Sequence, residues 1–361
     1  SGKSLIIYLL TQHYLRAYEH RTLIIVPTIG LVHQMAGDFE DYGCDPSMIY
    51  KIQGGVDKNT NAPIVISTWQ SLVKLQKDWF GQFGVVLGDE AHNFQAKSLQ
   101  KIMEGLDQCY YRHGFTGTLK SEESKTHRLV LEGCFGSVRK HVTTKDLMDA
   151  GTVADFNVKA IVLSHEQEQR KSFLKAFKQI KEGSKRYPAE REFLVNNHKR
   201  NIFIRNLLWS LEGQNNLVLF DLVEKHGKIL EPMLRKDDRQ LHFIYGATKG
   251  DERERIRHLI ENDPIKQHDI LASYGVFSTG VNLKKLDNVI FASGSKSEIK
   301  VLQSIGRTLR KGNDADKATL YDITDDLSSG SFTNYTLQHF RKRIEIYGRE
   351  QFAFRVYTVS I

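Results

Sequence analysis

The first four residues of the chain, Ser-Gly-Lys-Ser, are of the types that bind a phosphate group. Gly2 lets backbone N–H groups approach an anion, Lys3 can reach terminal phosphate oxygens, and the Ser4 hydroxyl can ligate Mg²⁺. The apolar pattern that follows predicts a helix, whose positive end would stabilise the same anion. G-K-S alone is a weak signal, and the rest of a complete phosphate-binding loop would lie before Ser1. We therefore expect the chain to begin inside a phosphate-binding loop, with its first domain truncated at the N-terminus.

An acidic turn after an apolar run supplies the second part of this chemistry. Asp89 and Glu90 follow residues 85–87, as the carboxylates of a Walker B segment follow a buried strand. Asp89 can hold Mg²⁺ through water, and Glu90 can orient and deprotonate the water that attacks a γ-phosphate. The alternative is a surface acidic turn, and the upstream G-K-S weighs against it. His92 is interpreted as a coupling residue, although a core or helix-capping histidine would have the same residue type.

Two arginines in the second half complete the candidate catalytic set. Arg307 and Arg310 lie three residues apart in QSIGRTLR, so both guanidinium groups would emerge from one face of a predicted helix. Planar, permanently charged donors stabilise the charge that develops on a γ-phosphate. The pair therefore predicts an arginine-finger role, whereas an isolated R-x-x-R would more simply be a solvated basic helix.

Short apolar runs alternate with longer amphipathic stretches along the whole chain, which predicts an α/β fold. Each half is expected to form a doubly wound parallel sheet. The predicted strands are 22–26, 64–67, 85–87 and 110–115, then 217–220, 241–245, 269–272, 288–292 and 318–323. A helix is predicted over 29–42. The charged segment 166–211 is predicted to be a helical insertion or preface whose role the sequence leaves open.

The break between the halves lies in DLMDAGTVADF, where a helix pattern ends at Gly151 and a strand pattern starts near Val158. A chain of 361 residues also exceeds what one hydrophobic core usually organises. We therefore predict a first, nucleotide-binding domain over 1–153 and a second domain over 154–361 that contains the helical segment.

Composition limits the partners without naming one. The chain has 51 Lys and Arg against 43 acidic residues, a net charge of +8 that is compatible with an anionic partner. The basic clusters 198–200 and 341–343 could contact phosphates, but solvated helix faces are the favoured interpretation. Three separate cysteines indicate neither a disulfide framework nor a zinc site and fit a reducing, cytoplasmic setting. No apolar run reaches the roughly 20 residues of a membrane helix.

The order of the motifs resembles that of the superfamily 2 helicases. The motifs are SGKS, VPTIGLVHQ, STWQSL, DEAH, TGT, STGVNL and QSIGRTLR, divided between the two halves. Within that superfamily the chain is similar to the recombination helicases of T-even bacteriophages, to bacterial fork-reversing translocases and to XPB-like repair helicases. The resemblance implies two RecA-like domains that bind ATP and Mg²⁺ between them and move along nucleic acid as a monomeric motor.

By position, the resemblance assigns further residues to the nucleotide, to coupling and to the nucleic-acid backbone. The nucleotide contacts would be Ser1, Gly2, Lys3, Ser4, Gly280 and Gln303, and the coupling residues His92, Thr116, Gly117 and Thr118. The backbone contacts would be Pro27, Thr28, Gln34, Gly54, Gly55, Thr68, Gln70, Ser71, Gly246, Thr248, Arg253, Thr279 and Asn282. Small, hydroxyl and amide residues bind phosphates without reading bases, although each alone would more often be a helix cap or turn. Asn282 departs from the family, which often has an acidic residue there.

The function implied by the resemblance is an ATP-dependent DNA helicase or translocase. Its substrates would be branched DNA and RNA:DNA hybrids, in branch migration, fork reversal and R-loop unwinding. The alternatives are a non-catalytic nucleic-acid clamp, the motor of an RNA helicase or restriction complex, and a small-molecule P-loop kinase. Glu90 and the paired arginines weigh against a clamp, and a kinase leaves the second α/β half unexplained. No long C-terminal extension or nuclease constellation is seen, which weighs against a DEAH-type RNA helicase and a restriction motor.

Overall fold

The computed structural model describes residues 2–117, 125–139, 146, 155–263, 267–279, 286–294, 297 and 317–361. The chain divides into two compact units, Ser1–Lys140 and His141–Ile361, and each has its own sheet. The predicted domain boundary between residues 153 and 154 falls outside the described residues and stays a prediction. No helix in the described ranges combines the length and the apolar character that crossing a membrane requires.

The first unit is built on a parallel sheet that contains, over the described residues, five strands in the order β2-β3-β1-β4-β5. The strands are β1 (Thr22–Val26), β2 (Ile49–Ile52), β3 (Ile64–Thr68), β4 (Val85–Asp89) and β5 (Tyr111–Phe115). The helices are α1 (Lys3–Tyr18), α2 (Ile29–Asp41), α3 (Trp69–Leu72), α4 (Lys77–Phe80), α5 (Lys97–Gly105) and α6 (Lys125–Phe135), with 3₁₀ turns at Pro46–Met48 and Ala91–Gln95.

Helices cover both faces of this sheet, which explains its continuous apolar strands. Strands β1, β3 and β4 are buried along their whole length. Successive side chains of a strand point to opposite faces, so alternate residues enter different cores. Ile24 and Ile66 pack with residues of α1 and α2, whereas Leu23 and Val65 pack with residues of α5 and α6. Two cores therefore hold the sheet between its helical layers.

The second unit contains, in its described part, seven parallel strands in the order β12-β6-β11-β10-β7-β9-β8. The strands are β6 (Asp155–Ser164), β7 (Asn216–Phe220), β8 (Gln240–Ile244), β9 (His268–Ser273), β10 (Asn288–Phe291), β11 (Lys317–Asp326) and β12 (Ala353–Ser360). The helices are α7 (Gln167–Lys178), α8 (Gly183–Val195), α9 (His198–Trp209), α10 (Lys228–Leu234), α11 (Gly250–Asn262), α12 (Tyr274–Thr279) and α13 (Tyr335–Arg349), with a π-helical turn at Val223–Gly227.

The predicted fold of two doubly wound parallel α/β sheets is confirmed. Each of the nine predicted strands is present, with its ends within three residues of the predicted ones. Strand β2, with the sequence IYKI, was missed because four residues give too short a pattern. Strand β12 was missed because it is an edge strand whose residues are almost all exposed, so apolar alternation does not mark a buried face.

Because the strands of each sheet run parallel, their carboxyl ends lie at one edge. The described motif residues of the first unit follow β1, β3, β4 and β5, and in the second unit the predicted contacts Gly246 and Thr248 follow β8. Ligands of open α/β sheets bind outside the carboxyl ends of the strands. Within each unit, the fold therefore places these described residues at the edge where such sheets bind ligands.

The interpretation of both basic clusters as solvated helix faces is wrong for their third residues. Arg200 is 3% exposed and Arg343 is 1% exposed. Arg200 Nε donates to Asp325 Oδ2 at 2.8 Å, and Arg343 donates to both carboxylate oxygens of Asp322, each at 2.8 Å. A helix turns about 100° per residue, so three consecutive basic residues cannot all face solvent when the helix packs on a sheet.

Residues 166–211 contain the three helices α7, α8 and α9. A buried carboxylate of α8 is hydrogen-bonded to the start of α13. Glu190 is fully buried. Its oxygens accept hydrogen bonds from the backbone N–H of Tyr335 at 2.8 Å and of Thr336 at 2.7 Å, and from the Thr336 hydroxyl at 2.8 Å. Asn334 Nδ2 donates to the same carboxylate at 3.2 Å. Glu190 thus satisfies N–H groups at the start of α13 that have no partner within the helix.

Candidate active site

Lys3, Asp89 and Glu90 meet at the carboxyl edge of the first sheet. Lys3 Nζ donates to Glu90 Oε1 at 2.5 Å and lies 3.6 Å from Asp89 Oδ1. Lys3 opens α1, Asp89 ends β4, and Glu90 precedes the 3₁₀ turn. The fold therefore joins three of the predicted catalytic residues across 87 positions of sequence.

The backbone at both ends of this contact takes a left-handed conformation. Gly2 has φ 67°, which glycine adopts at no steric cost, and α1 starts without a side-chain cap. Glu90 has φ 49° and ψ 51°, a conformation that costs a non-glycine residue about 1–3 kcal/mol and is common at functional sites. An uncapped helix start beside a cationic side chain is suited to bind an anion.

Two glycines create the space under the acidic turn. Gly88 of β4 pairs in register with Gly114 of β5. A Cβ on Gly88 would lie 2.8 Å from a ring atom of Phe94, and one on Gly114 would lie 2.7 Å from a ring atom of Phe135. The two rings pack edge to face with centroids 4.8 Å apart. A larger residue at either position would displace the rings that support the turn carrying Glu90.

The two carboxylates differ in their affinity for protons. Burial raises the pKa of Asp89 above its ordinary value, although the charge of Lys3 acts in the opposite direction. Burial also acts to raise the pKa of Glu90, but the hydrogen bond with His92 and the charge of Lys3 outweigh it and hold the pKa at about 2. Asp89 Oδ1 is buried and has no hydrogen-bond partner among the described residues, since 3.6 Å to Lys3 Nζ is too long.

His92 connects the acidic turn to the end of β5. Its Nδ1 lies 3.3 Å from Glu90 Oε2 and 2.9 Å from the hydroxyl of Thr116. Thr116 directly follows β5, and Gly117 comes next. This chain of contacts runs from the candidate base to the segment expected to couple hydrolysis to movement, and the coupling role stays a prediction.

The predicted backbone contacts of the first unit lie at the same edge of the sheet. The Thr28 hydroxyl accepts a hydrogen bond from Leu31 N at 3.3 Å and caps α2, so the helix-cap interpretation is correct for this side chain. The hydroxyls of Thr68 and Ser71 lie 3.2 Å apart at the start of α3. The other predicted residues here are Pro27 and the exposed Gln34, Gly54, Gly55 and Gln70. Contact of these residues with nucleic acid stays a prediction.

In the second unit, the predicted residues after β8 stabilise their own turn. The Thr248 hydroxyl accepts a hydrogen bond from Tyr245 N at 3.0 Å, and Arg253 Nη2 donates to the carbonyl of Gly246 at 3.2 Å. Several predicted residues, or the side chain in the case of Thr279, lie outside the described part of the chain: Ser1, Thr118, Thr279, Gly280, Asn282, Gln303, Arg307 and Arg310. Their roles stay predictions.

Sequence reasoning missed a set of buried ionic side chains at the carboxyl edge of the second sheet. Asp322 accepts two hydrogen bonds from Arg343 and one from the Tyr347 hydroxyl at 2.8 Å. A Cβ on Gly294, just after β10, would lie 2.5 Å from Arg343 Nη2, so a side chain at this position would displace the guanidinium group from its place. The carboxylates of β11, in YDITDD, were the signal, because carboxylates in a buried strand need charged partners.

The comparisons with known proteins give matches in both halves of the chain. Residues 1–121 match the family described as type III restriction enzyme, res subunit, and residues 198–312 match the helicase conserved C-terminal domain. The chain is 37% identical to the ATP-dependent DNA helicase uvsW of Enterobacteria phage T4, over 100% of this chain and 72% of that protein.

Two solved structures show likeness of fold alone, because both are less than 25% identical. The ATP-dependent type ISP restriction-modification enzyme LlaBIII bound to DNA has a TM-score of 0.68 at 14% identity, over 99% of this chain and 29% of that one. The helicase domain of Hef from Pyrococcus furiosus has a TM-score of 0.57 at 14% identity, over 97% of this chain and 93% of that one.

Proposed function

The chain belongs to the family of superfamily 2 helicases that includes UvsW of phage T4, and on that premise we propose that it is an ATP-dependent DNA helicase or translocase. The observation that carries the proposal is the contact of Lys3 with Glu90 and Asp89 at the carboxyl edge of the first sheet. These are the three side chains that phosphoryl transfer to water requires from this unit: a cation, a metal-binding carboxylate and a base.

The ion pair suggests how the nucleotide activates the base. Without nucleotide, Lys3 is bound to Glu90, whose low pKa makes it a weak base. A triphosphate competes for Lys3 with its own negative oxygens. When Lys3 leaves, its positive charge no longer lowers the pKa of Glu90, and the effect of burial raises that pKa. Glu90 then accepts the proton of the attacking water more readily. His92, at 3.3 Å from Glu90, remains to orient the carboxylate.

The residues present fit a Mg²⁺ ion delivered with ATP. Asp89 has a buried oxygen without a hydrogen-bond partner in the described part of the chain, and the Ser4 hydroxyl follows Lys3 at the start of α1. Over the described ranges, no group of three or more His, Cys, Asp or Glu could hold a metal ion. Mg²⁺ commonly takes one or two protein ligands and completes its shell with phosphate and water. When bound, it neutralises charge on the β- and γ-phosphate oxygens.

The finer part of the proposal concerns the second unit and the substrate. Arg307 and Arg310 would stabilise the γ-phosphate from the second unit, and closure and relaxation around ATP would drive stepwise movement. The substrates would be branched DNA and RNA:DNA hybrids, handled by a monomeric motor in the host cytoplasm. The support is the resemblance to recombination helicases. Strand displacement compared across forked DNA, a Holliday junction and an RNA:DNA hybrid tests this part.

The direct test of the activity is DNA-stimulated ATP hydrolysis by the Glu90→Gln variant. Glutamine keeps the size of the side chain but cannot accept a proton, so we expect the rate constant to fall about 10²- to 10⁴-fold. ATP binding should be retained or become tighter, because Lys3 loses its ion-pair partner. Asp107→Asn, at an exposed carboxylate of the same unit paired with Lys77, is the control and should keep the parent rate.

The same assay separates the alternatives. A parent protein that binds ATP and DNA without hydrolysis would be a clamp. Hydrolysis that ignores DNA and responds to a metabolite would indicate a small-molecule kinase. A Glu90→Gln variant as fast as the parent would remove Glu90 as the base.

A further inference from the structure

Helix α7 carries a row of lysines on its solvent face. Lys171, Lys175 and Lys178 are all exposed. Their spacing of four and three residues places them within about 60° of one another around the helix and over about 10 Å along it. The row defines one basic face, here called the α7 lysine face.

These three lysines differ from most of their neighbours in having no carboxylate partner among the described residues. Nearby lysines are paired: Lys185 with Glu182 at 2.7 Å, Lys199 with Glu166 at 2.5 Å, and Lys225 with Glu192 at 2.7 Å. Charges of one sign in a row repel each other, and none of the three lysines forms an ion pair with a described carboxylate. The acidic residue of the same helix, Glu168, lies one turn before Lys171, so the row keeps a net positive charge. A polyanion bound from outside would neutralise this repulsion.

The other side of α7 is fixed in a core. Phe173 and Phe177 are 5% and 6% exposed and pack with Leu194 and Leu327. The large hydrophobic side chains that are exposed in the described part of the chain all lie outside 166–211. A helix that binds a membrane surface needs an exposed apolar face, and single-strand binding uses exposed aromatic rings for base stacking. The α7 lysine face has neither, which favours contact with a phosphate backbone.

The position of α7 is also suitable. It starts three residues after the carboxyl end of β6, and α8 reaches the carboxyl end of β7, where Arg191 Nη2 donates to Asp221 Oδ2 at 2.5 Å. The described backbone contacts predicted for this unit, Gly246 and Thr248, follow β8 at the same edge. Next to Ser172, an open groove is lined by Gln169, Ser172, Asn196 and Asn197, together with Phe193 and with Glu192, whose carboxylate is paired with Lys225. Amide and hydroxyl groups hydrogen-bond to phosphate oxygens without reading bases.

We propose that Lys171, Lys175 and Lys178 form an accessory surface that binds the sugar-phosphate backbone of duplex DNA. The inference rests on the proposed helicase function and adds to it a duplex contact on the helical segment of the second unit. Duplex is favoured because it presents one negative charge per about 1.7 Å of axis, a density suited to a short row of point charges.

The test compares the triple variant Lys171→Gln, Lys175→Gln and Lys178→Gln with a control of equal charge change. The control, Lys77→Gln, Lys228→Gln and Lys236→Gln, removes lysines that are paired with local carboxylates. Binding of the full chain to a blunt duplex of about 30 base pairs is measured without ATP from 50 to 200 mM salt. We expect the lysine-face variant to bind about tenfold more weakly at low salt, with the slope of log affinity against log salt reduced by about 2 to 3. The control should stay within about twofold of the parent.

The outcomes are decisive in each direction. Equal losses in variant and control would show that only net charge matters and would overturn the proposal, as would an unchanged salt slope. Loss of binding to phosphatidylserine vesicles with full retention of duplex binding would assign the face to a membrane instead. ATP hydrolysis without DNA should match the parent, which also shows that the variant is folded. If the lysine face fails while Glu90→Gln abolishes hydrolysis, the helicase proposal stands alone. A parent that binds no blunt duplex overturns the lysine-face proposal, whereas the helicase proposal is decided by DNA-stimulated hydrolysis.

Discussion

His226 is a neutral histidine held in the interior of the second unit. It is fully buried, its Nδ1 lies 3.0 Å from the Ser293 hydroxyl, and its Nε2 has no hydrogen-bond partner in the described part of the chain. Burial, followed by the charge of Arg200, lowers its pKa to about 3. Protonation is therefore far easier in the unfolded chain than in the folded one.

This difference predicts an acid-sensitive second unit. Between about pH 6.5 and pH 3 the unfolded state binds the proton and the folded state does not, so the free energy of unfolding falls as the pH drops through this window. From pH 7 to pH 5 the loss should be about 2 kcal/mol. We expect His226→Gln to remove most of this loss, as measured by urea unfolding at both pH values.

An exposed histidine provides the control for that measurement. His198→Gln, at the start of α9, should leave the pH dependence as in the parent. Equal pH dependence in the parent and in His226→Gln would contradict the assignment of the acid sensitivity to His226.

Sequence patterns predicted the functional residues that directly follow a strand or begin a helix. They did not predict the residues whose role depends on a partner far away in the sequence. Asp89 and Glu90 could be predicted because an apolar run directly precedes them. Their contact with Lys3 spans 87 positions and could only be inferred from family resemblance. Arg343 was interpreted as solvated because a basic triplet does not reveal which member turns inward. Its partner Asp322 lies on β11, and only the packing of α13 on that strand unites them.

At the scale of elements, Glu190 decides how α13 begins. Its carboxylate accepts hydrogen bonds from the backbone N–H groups of Tyr335 and Thr336 and so ties α8 to α13. Hydrogen bonds from N–H groups to a buried carboxylate are stronger than neutral ones, and the helix dipole adds to them. This single side chain substitutes for a local capping residue, because Asn334 makes no capping hydrogen bond itself.

Removal of this carboxylate should destabilise the second unit strongly. We expect Glu190→Ala to lower the free energy of unfolding by about 2–4 kcal/mol, since it leaves buried N–H groups without partners. Glu192→Ala is the matched control two residues further along α8, where the side chain is exposed and paired with Lys225. Its effect should stay under about 1 kcal/mol. Similar losses in the two variants, measured by chemical unfolding, would argue against the capping role.

The elements that the sequence did not predict share a physical cause. Strands β1, β3 and β4 are buried on both faces and appear as plain apolar runs. Strands β2 and β12 pair at sheet edges, where few side chains are buried and polar residues are tolerated. Sheet order was also beyond the sequence, because it depends on which strands the crossover helices bring together.

At the scale of the whole molecule, the proposed mechanism needs both units, and Arg307 with Arg310 is its test. Removing an arginine finger typically costs 10³- to 10⁵-fold in hydrolysis. We expect the variant Arg307→Ala with Arg310→Ala to lose about 10³-fold in DNA-stimulated hydrolysis while ATP binding changes only a few-fold. Single-turnover hydrolysis and ATP titration measure the two effects separately.

The control for the arginine pair lies on α13. Arg341→Ala with Lys342→Ala removes two exposed basic residues of the same unit and should leave hydrolysis unchanged. An arginine-pair variant that hydrolyses ATP at the parent rate would eliminate the finger role.

The strand order of the second sheet also has a consequence for how the protein is made. Strand β6 pairs with β11 on one side and β12 on the other. After β6 leaves the ribosome, about 150 more residues must be translated before β11 exists. At about 5–20 residues per second this takes roughly 10–30 s. During this time the backbone N–H and C=O groups on both sides of β6 have no partner strand. In the first unit each described strand has its neighbours within a much shorter stretch of chain, so that half can finish folding while the other is still being synthesised.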